Sequence, residues 1–112
     1  MGKIDYNRLV ELMGGDNRLA DRLIQSFKSD AGHNLKLMLS YLESSQFDLL
    51  SNTAHVLKTQ SGYLGLDELR ILCEKIEHEC CSAPSTERLN LHMNELSSMI
   101  QAVLDAEGPY DN

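Results

Sequence analysis

Between Asp16 and Leu42 the chain reads DNRLADRLIQSFKSDAGHNLKLMLSYL, and the fold class follows from this stretch. Leu19, Leu23, Phe27, Ala31, Leu35, Leu39 and Leu42 recur every three or four residues. That is the period of an amphipathic helix, not of a strand. Asp16 stands where an N-cap would open the helix. Gly32 interrupts the apolar pattern without resetting its phase, so one long helix is expected across it. No segment alternates apolar and polar residues as a half-buried strand does.

Working outward, Asp5 is placed to cap a short helix carrying Leu9, Val10, Leu12 and Met13, which Gly14-Gly15 stops. Downstream, Ser45-Gln46-Phe47-Asp48 resembles a capping box with Asp in the last position. The helix it opens is expected to run to Leu64, with Gly65 ending it. Leu66, Leu69, Leu72, Cys73 and Ile76 mark another helix that fades near Cys80, and Ser82-Ala83-Pro84-Ser85 reads as a loop. Leu89, Met93, Leu96, Ile100, Val103 and Leu104 carry a last helix, ended by Gly108-Pro109. Four substantial helices with short connections predict an all-α, antiparallel up-down four-helix bundle, its short N-terminal helix capping one end. The 112 residues fit a single domain over 1–112.

A net charge of −7 argues against nucleic acid as a partner, because phosphate binding needs a basic surface. No apolar run is long enough to span a bilayer. Met1-Gly2-Lys3-Ile4-Asp5 lacks the apolar stretch of a signal peptide, and Tyr6 occupies the place of the Ser or Thr of a myristoylation motif. Three cysteines, two of them adjacent at Cys80 and Cys81, suit a reducing cytoplasm better than a disulfide framework.

Within the segment from Ala54 to Gly65, His55 is the residue with chemical reach. At 100° per residue, Asp48, Ser51, Asn52, Lys58, Thr59 and Gly62 all fall within about 60° of it. Leu49, Leu50, Ala54, Val56, Leu57, Tyr63 and Leu64 fill the opposite arc and read as the core face. The imidazole is thus expected to face water in a clearing of small and polar side chains. Gly62 costs a helix interior about 0.8–1 kcal/mol relative to alanine, which suggests that something approaches closely there. An ordinary solvated histidine is the plain alternative, and Lys58 and Gly62 weigh against it. A neutral imidazole is a good nucleophile, and a lysine one turn on can pair with an incoming phosphoryl group.

Other candidates are weaker. His78, Cys80 and Cys81 match no zinc spacing, and only His78 and Cys81 share a face. Cys73 reads as a buried thiol. No phosphate-cradling loop of the Gly-x-x-x-x-Gly-Lys or Gly-x-Gly-x-x-Gly type is present, and nothing resembles a nucleophile elbow.

The run Ala54-His55-Val56-Leu57-Lys58-Thr59, then Ser61-Gly62-Tyr63-Leu64-Gly65, then Leu69 to Glu77 with Leu72-Cys73 inside it, resembles the histidine-containing phosphotransfer domain of bacterial two-component multistep phosphorelays. With Gly14-Gly15-Asp16 and the long helix after it, the resemblance covers nearly the whole chain. It implies a four-helix bundle whose exposed histidine accepts a phosphoryl group from a receiver-domain aspartate and passes it to another response regulator. His55 matches the accepting position and Lys58 the assisting lysine. Glu77 matches a position on the neighbouring helix that faces the imidazole, where a carboxylate can take the Nδ1 proton and leave Nε2 as nucleophile. Thr59 departs from the family pattern, which has glycine there, and its branched side chain lies about 40° from His55.

The resemblance further implies that receiver domains and a hybrid sensor kinase are the partners, with no nucleic acid and no direct membrane contact. Docking would use Ser51, Asn52, Val56, Thr59, Gly62 and Tyr63, with Leu49 at the margin. No cofactor is expected in this chain, the Mg²⁺ being supplied by the receiver. It would be a monomeric phosphotransfer intermediate without kinase activity of its own. Its place would be the cytoplasm, free or as part of a membrane-bound kinase. The rival is a helical adaptor that binds receivers without being phosphorylated; a metal-binding bundle using His78, Cys80 and Cys81 ranks third.

Overall fold

The computed structural model describes residues 4–105. Its helices are α1 (Tyr6–Leu12), α2 (Asn17–Glu43), α3 (Phe47–Tyr63), α4 (Asp67–Cys81) and α5 (Thr86–Asp105). α3 packs between α2 and α4, α5 packs on α4 and α2, and α1 rests on α2. The last four therefore close a four-helix bundle, and the short turns between them make successive helices antiparallel. At 1.5 Å per residue α2 alone is about 40 Å long, and it sets the long axis of a body measuring 43 × 24 × 20 Å. Phe27, Met38, Leu50, Leu57, Ile76, Met93, Leu96 and Ile100 fill the core. The expected end of the last helix at Gly108-Pro109 lies outside the described residues.

The helix starts at Asp5 and Asp16 form as expected: each carboxylate accepts from a backbone N–H three residues on, at Arg8 and Leu19, at 3.1 Å. α2 runs unbroken through Gly32, but its buried row is Ala20, Ile24, Phe27, Ala31, Met38 and Leu42. Leu19 and Leu39, expected on that row, are exposed. A row spaced by fours drifts about 40° per step, so Leu19 and Leu39 end up on nearly opposite sides of the helix.

A second correction concerns the entry to α3. Gln46, not Ser45, is its N-cap, and no side chain caps it. Ser45 is instead the left-handed residue that closes α2, with φ 56°. Its N–H bonds to Leu42 O, and the N–H of Gln46 reaches back to Tyr41 O at 2.8 Å. The same closing geometry ends α1 at Gly14 (φ 68°) and α3 at Gly65 (φ 73°), where glycine announces it.

Gly65 has a further task. A Cβ built there would lie 2.8 Å from Asp5 Cβ, and the Asp5 N–H donates to Leu64 O at 3.0 Å. The start of α1 is thereby pinned to the end of α3. The Tyr6 hydroxyl adds a bond to Asp21 Oδ1 on α2, and Leu9 inserts into the core. These ties leave Leu12 exposed.

Among the cysteines, Cys73 and Cys80 are buried and Cys81 is exposed. Burial pushes the Cys73 thiol up to about 12 and the Cys80 thiol up to about 11. Cys80 faces the core, away from the exposed His78 and Cys81. Among the described residues no cluster of three or more His, Cys, Asp or Glu could hold a metal ion.

Candidate functional site

The site lies where the middle of α3 meets α4. Leu50, Ala54, Leu57 and Ser61 bury one face of α3, which turns His55 outward, its side chain 60% exposed. From α4, Leu69, Leu72, Cys73 and Ile76 pack inward, and Glu77, next in sequence after Ile76, is left at the seam between the two helices. Its side chain is 19% exposed and its carboxylate takes two partners. His55 Nδ1 lies 3.0 Å from Oε2, and Lys58 Nζ lies 2.7 Å from Oε1. Burial pushes the Glu77 carboxyl up, but Lys58 and His55 together outweigh it and hold the group below the ordinary carboxylate value. Reciprocally, contact with Glu77 outweighs desolvation and raises the Lys58 ammonium. The carboxylate is therefore ionised at neutral pH, with both oxygens occupied.

Three of the residues singled out from the sequence, His55, Lys58 and Glu77, thus converge. Ser51, Asn52, Val56, Thr59, Gly62 and Tyr63 share the α3 surface around them; Asn52, Val56, Thr59 and Tyr63 are exposed, Ser51 and Gly62 half-buried. Val56, Tyr63 and Leu49 do not belong to the core face as the helical wheel had placed them; all three are exposed. Successive residues seven apart fall within about 20° of one another, so they form one stripe about 80–120° around α3 from His55. The core occupies the side beyond, centred on Leu50, Leu57 and Ser61.

Thr59, the departure from the family pattern, does not cover the ring. Its hydroxyl donates to the His55 carbonyl oxygen at 3.1 Å, which lays the side chain along the helix. On the other flank, Ser51 Oγ and Cys81 Sγ are 3.8 Å apart, linking α3 to the last turn of α4. Leu12 and Arg70 also reach this surface: with Lys58, Thr59, Gly62, Tyr63 and Glu74 they line a hollow beside the histidine. Sequence reading missed both. A seven-residue helix is too short for periodicity to fix which side faces in, and Arg70 comes from a different helix.

The model of the Hpt domain family matches residues 22–106, which include α3 and α4 with every member of the triad. The chain belongs to the Hpt domain family. Hpt domains carry phosphoryl groups in two-component phosphorelays and interact with receiver domains and kinases. None of the curated proteins and none of the solved structures compared with the chain matches it. No helix among the described residues is long and apolar enough to cross a membrane.

Proposed function

We propose that His55 is the phosphoryl carrier of this Hpt domain, taking the group from a receiver aspartate and handing it to the aspartate of a second response regulator. The 3.0 Å contact between His55 Nδ1 and Glu77 Oε2 carries this reading. An ionised carboxylate only accepts, so Nδ1 bears the ring proton and the lone pair stands on Nε2. Attack by that lone pair forms the N–P bond as the bond from phosphorus to the aspartyl oxygen breaks, and the aspartate leaves as a carboxylate. No proton has to depart. The ring becomes cationic with Nδ1–H retained, and the Glu77 carboxylate beside it stabilises the charge. A cationic ring is also a good leaving group, so the onward transfer runs by the reverse step.

Lys58 pivots from Glu77 toward the phosphoryl oxygens, as a compact cation on a flexible stem is suited to do. Ser51, Asn52, Val56, Thr59, Gly62 and Tyr63 form the docking face for a modest, transient interface. Mg²⁺ arrives bound to the receiver, since the one carboxylate at His55 is already engaged at both oxygens. The domain works as a cytoplasmic monomer with no cofactor and no kinase activity of its own.

The test is transfer from phosphorylated receivers, with label followed on this chain. Acid-labile, base-stable phosphate is expected on the parent and its complete loss in His55→Gln, with the circular dichroism of the bundle unchanged. Label persisting in that variant would overturn the assignment. No label on the parent, with receivers bound equally well by His55→Ala, would favour the adaptor.

A further inference from the structure

A second groove, about 510 Å³ in volume, lies between α4 and His92 of α5. On α4, Ile71, His78 and Ser82 fall within about 60° of Lys75 around the helix axis, whereas Glu77 lies about 160° from it. The groove and the imidazole site therefore occupy different sides of α4. The basic side chains along the groove are Arg70, Lys75, His78 and His92. Two carboxylates also line it, and both have partners. Glu79 is held by Arg88, from outside the groove, through two bonds of 3.0 Å. Glu74 faces Arg70 at 3.7 Å, longer than a charge-assisted hydrogen bond, which leaves the guanidinium loosely held.

Lys75, His78 and His92 make no ion pair among the described residues. Lys75 and His78 are exposed and His92 is half-buried. An uncompensated ammonium and two imidazoles thus gather in one groove of a chain whose net charge is −7. An imidazole donates an N–H even when neutral, and an ammonium donates three. The set is therefore rich in donors and suits a ligand that only accepts. Two imidazoles also invite a metal ion, but no cluster of three donors exists for one among the described residues.

We infer that this groove binds a phosphate anhydride, two or three linked phosphoryl groups carried free or on a nucleotide, with Lys75 as its charge partner and His78 and His92 as donors from the two helices. Lysine is a compact point charge suited to phosphate. Lys75 and His78 are about 4.5 Å apart along the axis, so linked phosphoryl groups can meet both. Ile71, 46% exposed, offers apolar surface to the body of a nucleotide. The site goes beyond the phosphoryl-carrier reading and does not rest on it.

The experiment follows amide and imidazole resonances of the full chain as sodium triphosphate, ATP or citrate is added without divalent cations. Triphosphate is expected to move the Lys75, His78 and His92 signals together and to saturate with a Kd of about 1 mM or lower. Lys75→Gln should weaken binding about tenfold at an unchanged melting temperature, because the side chain is exposed. His92→Gln should weaken it as well, and Lys36→Gln, at an exposed lysine of α2, should not. ATP binding more tightly than triphosphate would assign a nucleotide, and ATP binding no more tightly would assign the free anion; both support the site. Citrate bound as tightly as triphosphate would overturn the choice of phosphate. Shifts that fail to saturate, that spread over the other basic side chains, or that keep the parent's affinity in Lys75→Gln would overturn the groove. None of these outcomes depends on labelling at His55.

Discussion

Glu77 is the residue on which the chemistry of this Hpt domain turns, because one carboxylate holds two side chains that must do different things. Through Oε2 it orders the imidazole, and through Oε1 it restrains Lys58. Glu77→Gln separates these effects. The amide is nearly isosteric, but it donates as readily as it accepts, so Nδ1–H is no longer imposed. The developing ring charge also loses its counter-ion. Transfer should slow by about one to two orders of magnitude, and the variant should also melt below the parent at neutral pH, because the ion pair made by a side chain only 19% exposed is lost. Long-range ¹H–¹⁵N spectra provide a readout that a purely structural role would not move. The parent should show Nδ1 protonated and Nε2 as the unprotonated nitrogen, and Glu77→Gln a mixture of the two tautomers. A variant with the parent's tautomer and the parent's rate would remove Glu77 from the mechanism.

Helix ends decide where the site sits, and they show what a sequence pattern can and cannot disclose. α1 and α3 close on glycines that announce a left-handed residue, and both ends fall where the sequence places them. α2 closes in the same way on Ser45, and a serine before Gln-Phe-Asp reads equally well as the cap of the next helix. Only the backbone conformation distinguishes the two. Gly65→Ala therefore faces both a left-handed φ and the Asp5 side chain 2.8 Å away, and should cost about 2 kcal/mol or more in urea unfolding. Ser45→Gly should instead stabilise by about 0.5–1 kcal/mol, the strain relieved exceeding the entropy lost. Gly65→Ala unfolding at the parent's urea midpoint would show that α1 is not held through this contact. The site divides along the same line. His55, Lys58 and Gly62 share one helix, so helical geometry alone groups them. Glu77 enters only through a family pattern, and Leu12 reaches this surface through a tertiary contact between chain segments far apart in sequence. The stripe of Leu49, Val56 and Tyr63 went to the core on a helical wheel because apolarity alone cannot tell a buried flank from an exposed one.

Across the whole molecule, α5 depends on one carboxylate at the far end of α4. Glu79 receives the Arg88 guanidinium through two bonds of 3.0 Å and the Ser85 N–H at 3.1 Å, so the turn from Ser82 to Ser85 is closed by a fork that matches carboxylate geometry. Ser85 in turn accepts from the Arg88 N–H at the start of α5. Arg88 is the foremost reason that the Glu79 carboxyl lies below its ordinary value; burial works against it and the Ser85 bond assists. Glu77 is depressed as well, by Lys58 and His55 against its burial. Both carboxyls release protons more readily in the folded chain than in the unfolded one. Their contribution is therefore complete above the unfolded value of about 4.3 and disappears as pH falls through the lower folded values. In the same window the 17 carboxylates lose their charge, leaving ten lysines and arginines and four histidines to repel one another. Glu79→Gln should accordingly lower the melting temperature at pH 7 and lower it by less at pH 2.5, where less of the parent's carboxyl is ionised. Circular dichroism melts at the two pH values provide the measurement. An equal drop at both would mean that the side chain acts through packing, because a charge-dependent fork can be lost only where the charge exists.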